Sequence, residues 1–263
     1  MGKKVAVAFV HGMGEAKKDF ANDIKNLILD TLGTSCIDDI VMGDVYWADV
    51  FQTEEDQLVA YAKTHNLSNP ITLREFVINY LADVVAYQVR PGERRDYNSV
   101  HIRFAQTLKE LAASAGPDAP LIVIAHSLGS LIASNYLYDL QHDFQGGITR
   151  DFIKKCVEKP KPAKKSKLIP AAIGKHIGST PLEQGKTLIN FYTLGCPLAI
   201  YNMRHKNPVY GLPIEVPSPK LSDYHPKLSG EWVNFYDPDD IIAYPLQGFN
   251  DCYKDGVRDM QVD

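Results

Sequence analysis

Short, continuously apolar runs recur along the chain and alternate with stretches in which apolar residues repeat at helical spacing. A run that is apolar at every position is typical of a strand buried on both faces of a parallel sheet. The strands predicted on this basis are Val5–Val10, 41–50, 121–125, Leu188–Leu194, Trp232–Tyr236 and 256–262. The order of elements predicts an α/β fold, with a mostly parallel central sheet and helices on both faces.

Helical spacing of apolar residues predicts helices over 15–32, 72–88, 99–115 and 130–140. Thr72 and Glu75 are placed as a capping box at the start of the second, and Gly33 ends the first. The polar or proline-rich stretches 90–97, 158–170 and 203–230 are predicted to be loops.

The length and composition fit a single α/β domain over residues 1–263, because 263 residues of which 45% are hydrophobic suffice for one large core. Two long insertions are predicted, at about 53–99 and 141–187. The second contains a Lys- and Pro-rich segment, 154–167, which is interpreted as a solvated linker or alternatively as a lid or an anchor for anionic head groups.

Charge and cysteine usage narrow the function classes. The net charge of -4 gives no basic excess, so no nucleic-acid partner is predicted. No apolar run approaches the roughly 20 residues of a transmembrane helix. The four cysteines are scattered, and no His, Cys, Asp or Glu cluster has ligand spacing, so we expect free thiols, no metal, no cofactor and a cytoplasmic location.

The strongest candidate chemistry lies at Ser127, in the sequence Ala125-His126-Ser127-Leu128-Gly129. An apolar strand precedes it and an amphipathic helix follows it, as in a nucleophile elbow of the G-x-S-x-G type, with Ala125 in place of the first glycine. Such a turn needs small residues two positions before and two positions after the serine, which here are Ala125 and Gly129. The alternative is an ordinary turn in which Ser127 caps a helix.

A glycine-containing turn, His11-Gly12-Met13-Gly14, follows the first strand. Acyl transfer needs two N–H donors aimed at the developing oxyanion. The backbone N–H groups of Met13 and Leu128 are the predicted pair, although a tight turn needing glycine would give the same pattern.

The acid that orients a catalytic base is expected after a later strand. Asp240 is the first choice, because it follows the strand and precedes an apolar pair, and Asp237 is the alternative.

Together these sites resemble the α/β-hydrolase superfamily, on its lipase and esterase side, over most of the chain. The segment 193–198 is similar to that family's Gly-Ser-Pro-Leu turn, with Cys196 in place of Ser. The resemblance implies a serine hydrolase of the esterase, lipase or thioesterase type, which cleaves a small-molecule acyl substrate through an acyl-enzyme on Ser127. It also supports the choice of Asp240.

The family places its catalytic histidine after the acid, and no histidine follows Asp240 in this sequence. Three explanations stay open: the His-bearing loop is missing because the chain is cut short, a histidine from elsewhere such as His225 serves as base, or the protein lacks a base. His126 is expected to point away from Ser127 and to pack, and His11 to support the oxyanion turn.

Two other functions therefore compete with hydrolysis. Without a base, the protein would be a catalytically impaired α/β-hydrolase-like binding or scaffold protein. An acyltransferase would need an acceptor site that excludes water, and nothing in the sequence separates it from a hydrolase. The oligomeric state is left open.

Overall fold

The computed structural model describes residues 4–13, 17–51, 64, 87, 95–145, 171–202, 214–249 and 251–262. Six strands form one all-parallel sheet in the order β2-β1-β3-β4-β5-β6. They are β1 Val5–Val10, β2 Ile40–Val45, β3 Leu121–His126, β4 Leu188–Leu194, β5 Trp232–Tyr236 and β6 Arg258–Gln261. The predicted α/β fold with a parallel sheet is confirmed.

Three longer helices accompany the sheet in the described part of the chain: α1 Asn22–Leu32, α2 Arg95–Ala115 and α3 Leu128–Phe144. Short helices follow as α4 Ala171–Gly174, α5 Leu198–Asn202 and α6 Asp251–Lys254, with 3-10 turns at Thr34–Asp39, Ala48–Val50 and Leu221–Asp223. None of the described helices is both long and apolar enough to cross a bilayer.

Several predicted boundaries are wrong. The first helix begins at Asn22 rather than at residue 15, and the predicted loop 90–97 is helical from Arg95. The strand predicted over 41–50 ends at Val45. The predicted helix 72–88, apart from residue 87, and the segment 154–167 lie outside the described residues, as does most of both predicted insertions.

The two faces of the sheet carry different packing. The main core includes Val123 and Ala125 of β3, together with apolar side chains of α2 and α3. A smaller cluster of Val7, Phe9 and Ala21 lies on the other face, where Ile122 and Ile124 of β3 and residues of α1 pack against it. Side chains alternate along a strand, so the next residue of β3, His126, belongs to the α1 face.

The carboxyl ends of β1, β3, β4 and β5 meet at one edge of the sheet because all strands are parallel. Open α/β sheets bind their ligands at this edge. The residues that follow these strands are His11, Ser127, Gly195 and Asp237.

The cysteines differ from the expectation of four free thiols. Cys196 is a free thiol, but Cys252 is disulfide-bonded, so that expectation is wrong for Cys252.

Candidate active site

Ser127 lies on a sharp turn between β3 and α3. Its φ of 50° and ψ of -126° make it the one non-glycine residue with positive φ in the described part of the chain. Its N–H donates to Leu194 O at 2.8 Å, and its carbonyl accepts from Ser130 N at 2.9 Å. Such a backbone costs on the order of 1–3 kcal/mol and persists only where its surroundings enforce it.

Close packing around the turn explains why residues 12 and 129 are both glycine. A Cβ atom added to Gly129 would lie 2.3 Å from His11 O and 2.7 Å from Val10 O. A Cβ atom added to Gly12 would lie 2.8 Å from Ser127 Cβ. The end of β1 therefore abuts the start of α3, and the glycine turn after β1 lies directly beside Ser127.

His11 holds this glycine turn in place. Its Nε2 accepts from Trp47 N–H at 3.0 Å, so the hydrogen bond assigns the ring proton to Nδ1, which donates to Gly12 O at 2.7 Å. Trp47 Nε1–H donates to His11 O at 3.1 Å, and the two rings stack with centroids 4.4 Å apart. Burial lowers the pKa of His11 to about 4, so the ring is neutral at pH 7.

The two predicted oxyanion donors are both free of acceptors within the described residues. A trans peptide points its N–H opposite to its C=O, so the bond from His11 to Gly12 O turns Met13 N–H away from His11. Met13 N–H has no hydrogen-bond acceptor among the described residues. Leu128 is the first residue of α3, so its N–H has no acceptor within the helix.

The side chain of Asp240 lies at the carboxyl edge of the sheet, next to Gly195, whereas that of Asp237 hydrogen-bonds only within its own turn among the described residues. Asp240 Oδ1 accepts from Ile242 N–H at 3.0 Å, and its Oδ2 would lie 3.2 Å from a Cβ added to Gly195. Asp237 Oδ1 accepts from Asp239 N–H at 2.8 Å. Of the two aspartates, Asp240 is thus the one packed against the residue that follows β4.

The structure does not bring His225 to Ser127. His225 Nε2 donates a hydrogen bond to the carbonyl oxygen of Asp118 at 2.6 Å, and Asp118 precedes the amino end of β3. Ser127 follows the carboxyl end of the same strand, roughly 20 Å away at about 3.3 Å per residue. The expectation that His225 acts as base is therefore corrected.

His126 also departs from the expectation. Its side chain is exposed rather than packed in the core, and it lines a cavity of about 410 Å³ on the α1 face. Apolar side chains form most of the remaining wall: Phe9, Met13, Phe20, Ile24, Ile124 and Leu194. Sequence reasoning missed this histidine, although the alternation of Ile122, Ile124 and His126 along β3 carried the signal.

Comparisons with known proteins add no identification. No protein-family model matches the chain, and neither a curated protein nor a solved structure matches it. Among the residues that the structure describes, no group of three or more His, Cys, Asp and Glu side chains is arranged to hold a metal ion.

Proposed function

We propose that this protein is a serine hydrolase of the α/β-hydrolase type, which cleaves a carboxylic ester or thioester through an acyl-enzyme on Ser127. The observation that carries the proposal is the positive φ of Ser127 at the junction of a buried parallel strand and a helix. A strained turn of this kind is typical of a nucleophile elbow, in which the serine lies at the carboxyl edge of the sheet. A serine that only caps a helix does not require such a backbone.

The surroundings of Ser127 fit attack on an acyl carbonyl. Ser127 Oγ would add to the carbonyl carbon while Met13 and Leu128 N–H groups stabilise the negative charge on the carbonyl oxygen. Collapse would expel the alcohol or thiol, and water would then release the acid. The neutral His11 would keep the Met13 peptide in a fixed orientation throughout.

The apolar cavity on the α1 face supports an acyl substrate rather than a charged one. Its walls are mainly Phe, Ile, Leu and Met side chains, and it opens beside Gly12 and His126, which adjoin Ser127. Burial of apolar acyl carbon in such a cavity supplies about 25 cal/mol per Å².

Fluorophosphonate labelling tests the proposal, because it reports an activated serine without knowledge of the substrate. Wild type, Ser127→Ala and Ser134→Ala would be compared by intact mass. Ser134 lies on the same helix, is buried and has no hydrogen-bond partner for its Oγ among the described residues, so it is a matched control. We expect one adduct in wild type and Ser134→Ala, and none in Ser127→Ala.

A second candidate is a catalytically impaired binding or scaffold protein of the same fold. It is favoured by the finding that, among the described residues, no side chain hydrogen-bonds to Ser127 Oγ. Failure of the folded wild-type chain to form any adduct would replace the hydrolase proposal with this one.

A further inference from the structure

Among the histidines that the structure describes, His126 is the one that lies at the carboxyl edge of the sheet without a structural hydrogen bond to its ring. His11 is committed to Gly12 and Trp47, and His225 lies at the opposite edge. The side chain of His126 makes no hydrogen bond to any described residue, and the residue is exposed and lines the cavity beside the elbow.

One ring nitrogen of His126 lies on the side of Ser127. A Cβ atom added to Gly12 would lie 2.9 Å from His126 Nδ1 and 2.8 Å from Ser127 Cβ. Both atoms thus border the same small space, which stays open only because residue 12 has no side chain. A catalytic hydrogen bond is often long or misaligned before substrate binds, so this proximity suffices to make Nδ1 a candidate.

The other ring nitrogen lies on the side of Asp240. A Cβ atom added to Gly195 would lie 3.6 Å from His126 Nε2 and 3.2 Å from Asp240 Oδ2. Gly195 has a φ of 59°, so the glycine is required by the backbone as well as by the space. The protein atoms around the His126 ring partly desolvate it and lower its pKa, and the negative charge of Asp240 opposes that shift.

The geometry points to His126 as the general base for Ser127, with Asp240 as the carboxylate that orients it. This inference rests on the proposed hydrolase function. It gives the chain a base in the residue directly before the nucleophile, and it explains why Asp240 faces Gly195.

The proton balance is complete with these groups. His126 Nδ1 takes the proton of Ser127 Oγ as the Oγ–C bond forms and the carbonyl π pair moves to oxygen. The tetrahedral adduct then collapses, the bond to the alcohol or thiol breaks, and His126 returns the proton to the leaving group. Water repeats the sequence in deacylation, and Asp240 stabilises the imidazolium formed in each half.

Rates of fluorophosphonate labelling test the role of His126 directly. We expect His126→Ala and the bulkier His126→Gln to label about 10²–10⁴-fold more slowly than wild type. Added imidazole should restore labelling to His126→Ala but not to Ser127→Ala. Asp240→Asn should also slow labelling, while His176→Ala, which removes an exposed histidine from a loop, should not.

Circular dichroism and thermal unfolding would first establish that each variant is folded. Labelling of folded His126→Ala or His126→Gln within about threefold of the wild-type rate would overturn the inference. The hydrolase proposal would still stand in that case, provided that Ser127→Ala does not label. Absence of labelling in wild type itself would remove the hydrolase proposal, and this inference with it.

Discussion

Glycine positions around the elbow set how closely β1 and α3 approach each other. At Gly129 the neighbouring atoms are the carbonyl oxygens of Val10 and His11, which belong to the backbone and cannot rotate away. The sequence pattern predicted a small residue here from the motif alone, and the structure supplies the physical reason. Asp240 was likewise chosen from its place after a strand, but its packing against Gly195 could not be deduced because the two are distant in sequence.

Gly129→Ala is expected to destabilise the protein by at least about 1–3 kcal/mol, because the added methyl group overlaps backbone oxygens. The measurement is the free energy of unfolding from urea titration. Gly248→Ala is the matched control, since a Cβ atom there would meet nothing within 4 Å. Equal stability of the two variants would show that β1 and α3 separate easily.

Buried neutral histidines make the protein sensitive to acid. Burial lowers the pKa of His11 to about 4 and that of His101 to about 3, from 6.5 for an accessible histidine. The unfolded chain therefore binds more protons, so stability is complete above about pH 6.5 and declines as the pH falls toward 4.

When the pH falls from 7 to 5, we expect each of these histidines to lower the free energy of unfolding by about 2 kcal/mol. Urea unfolding at the two pH values measures it. The stability of His101→Phe should fall less between the two pH values than that of wild type. An equal fall in both proteins would contradict the lowered pKa of His101.

At the level of elements, continuous apolar runs located the strands well, because a strand buried on both faces is apolar at every position. The bounds of β1, β4 and β5 match the predicted ones. The end of β2 was misplaced because Tyr46 and Trp47 continue the apolar pattern, whereas Trp47 turns into the core to stack on His11. Residues 214–230 lack any periodic pattern, so nothing in the sequence placed His225 at the amino edge.

The contact between β2 and the glycine turn has a testable effect. Trp47→Phe keeps an aromatic ring but removes the donor to His11 O, and we expect about 1 kcal/mol lower stability. A looser turn would also position Met13 N–H less well. Labelling at Ser127 should therefore slow by about tenfold, as 1.36 kcal/mol of lost transition-state stabilisation would produce. Trp232→Phe, which removes a donor to Thr193 instead, serves as the control.

The described part of the molecule is organised around one sheet, whose first strand begins at Val5 and whose last strand ends at Gln261. Val5 of β1 and Gln261 of β6 belong to the same six-stranded sheet, and Ala6 of β1 lies opposite Leu121 of β3, which is distant in sequence. This architecture could be predicted from the alternation of strands and helices. The order of the strands could not, because apolar periodicity does not state which strands are neighbours.

The placement of β1 also bears on biosynthesis. β1 is inserted between β2 and β3, and its inner partner β3 begins only at Leu121. A ribosome that makes about 5–20 residues per second exposes β1 for several seconds before β3 emerges. Gly195 and Asp240 are synthesised after Ser127. A nascent chain therefore contains Ser127 well before it contains the residues that would make that serine reactive.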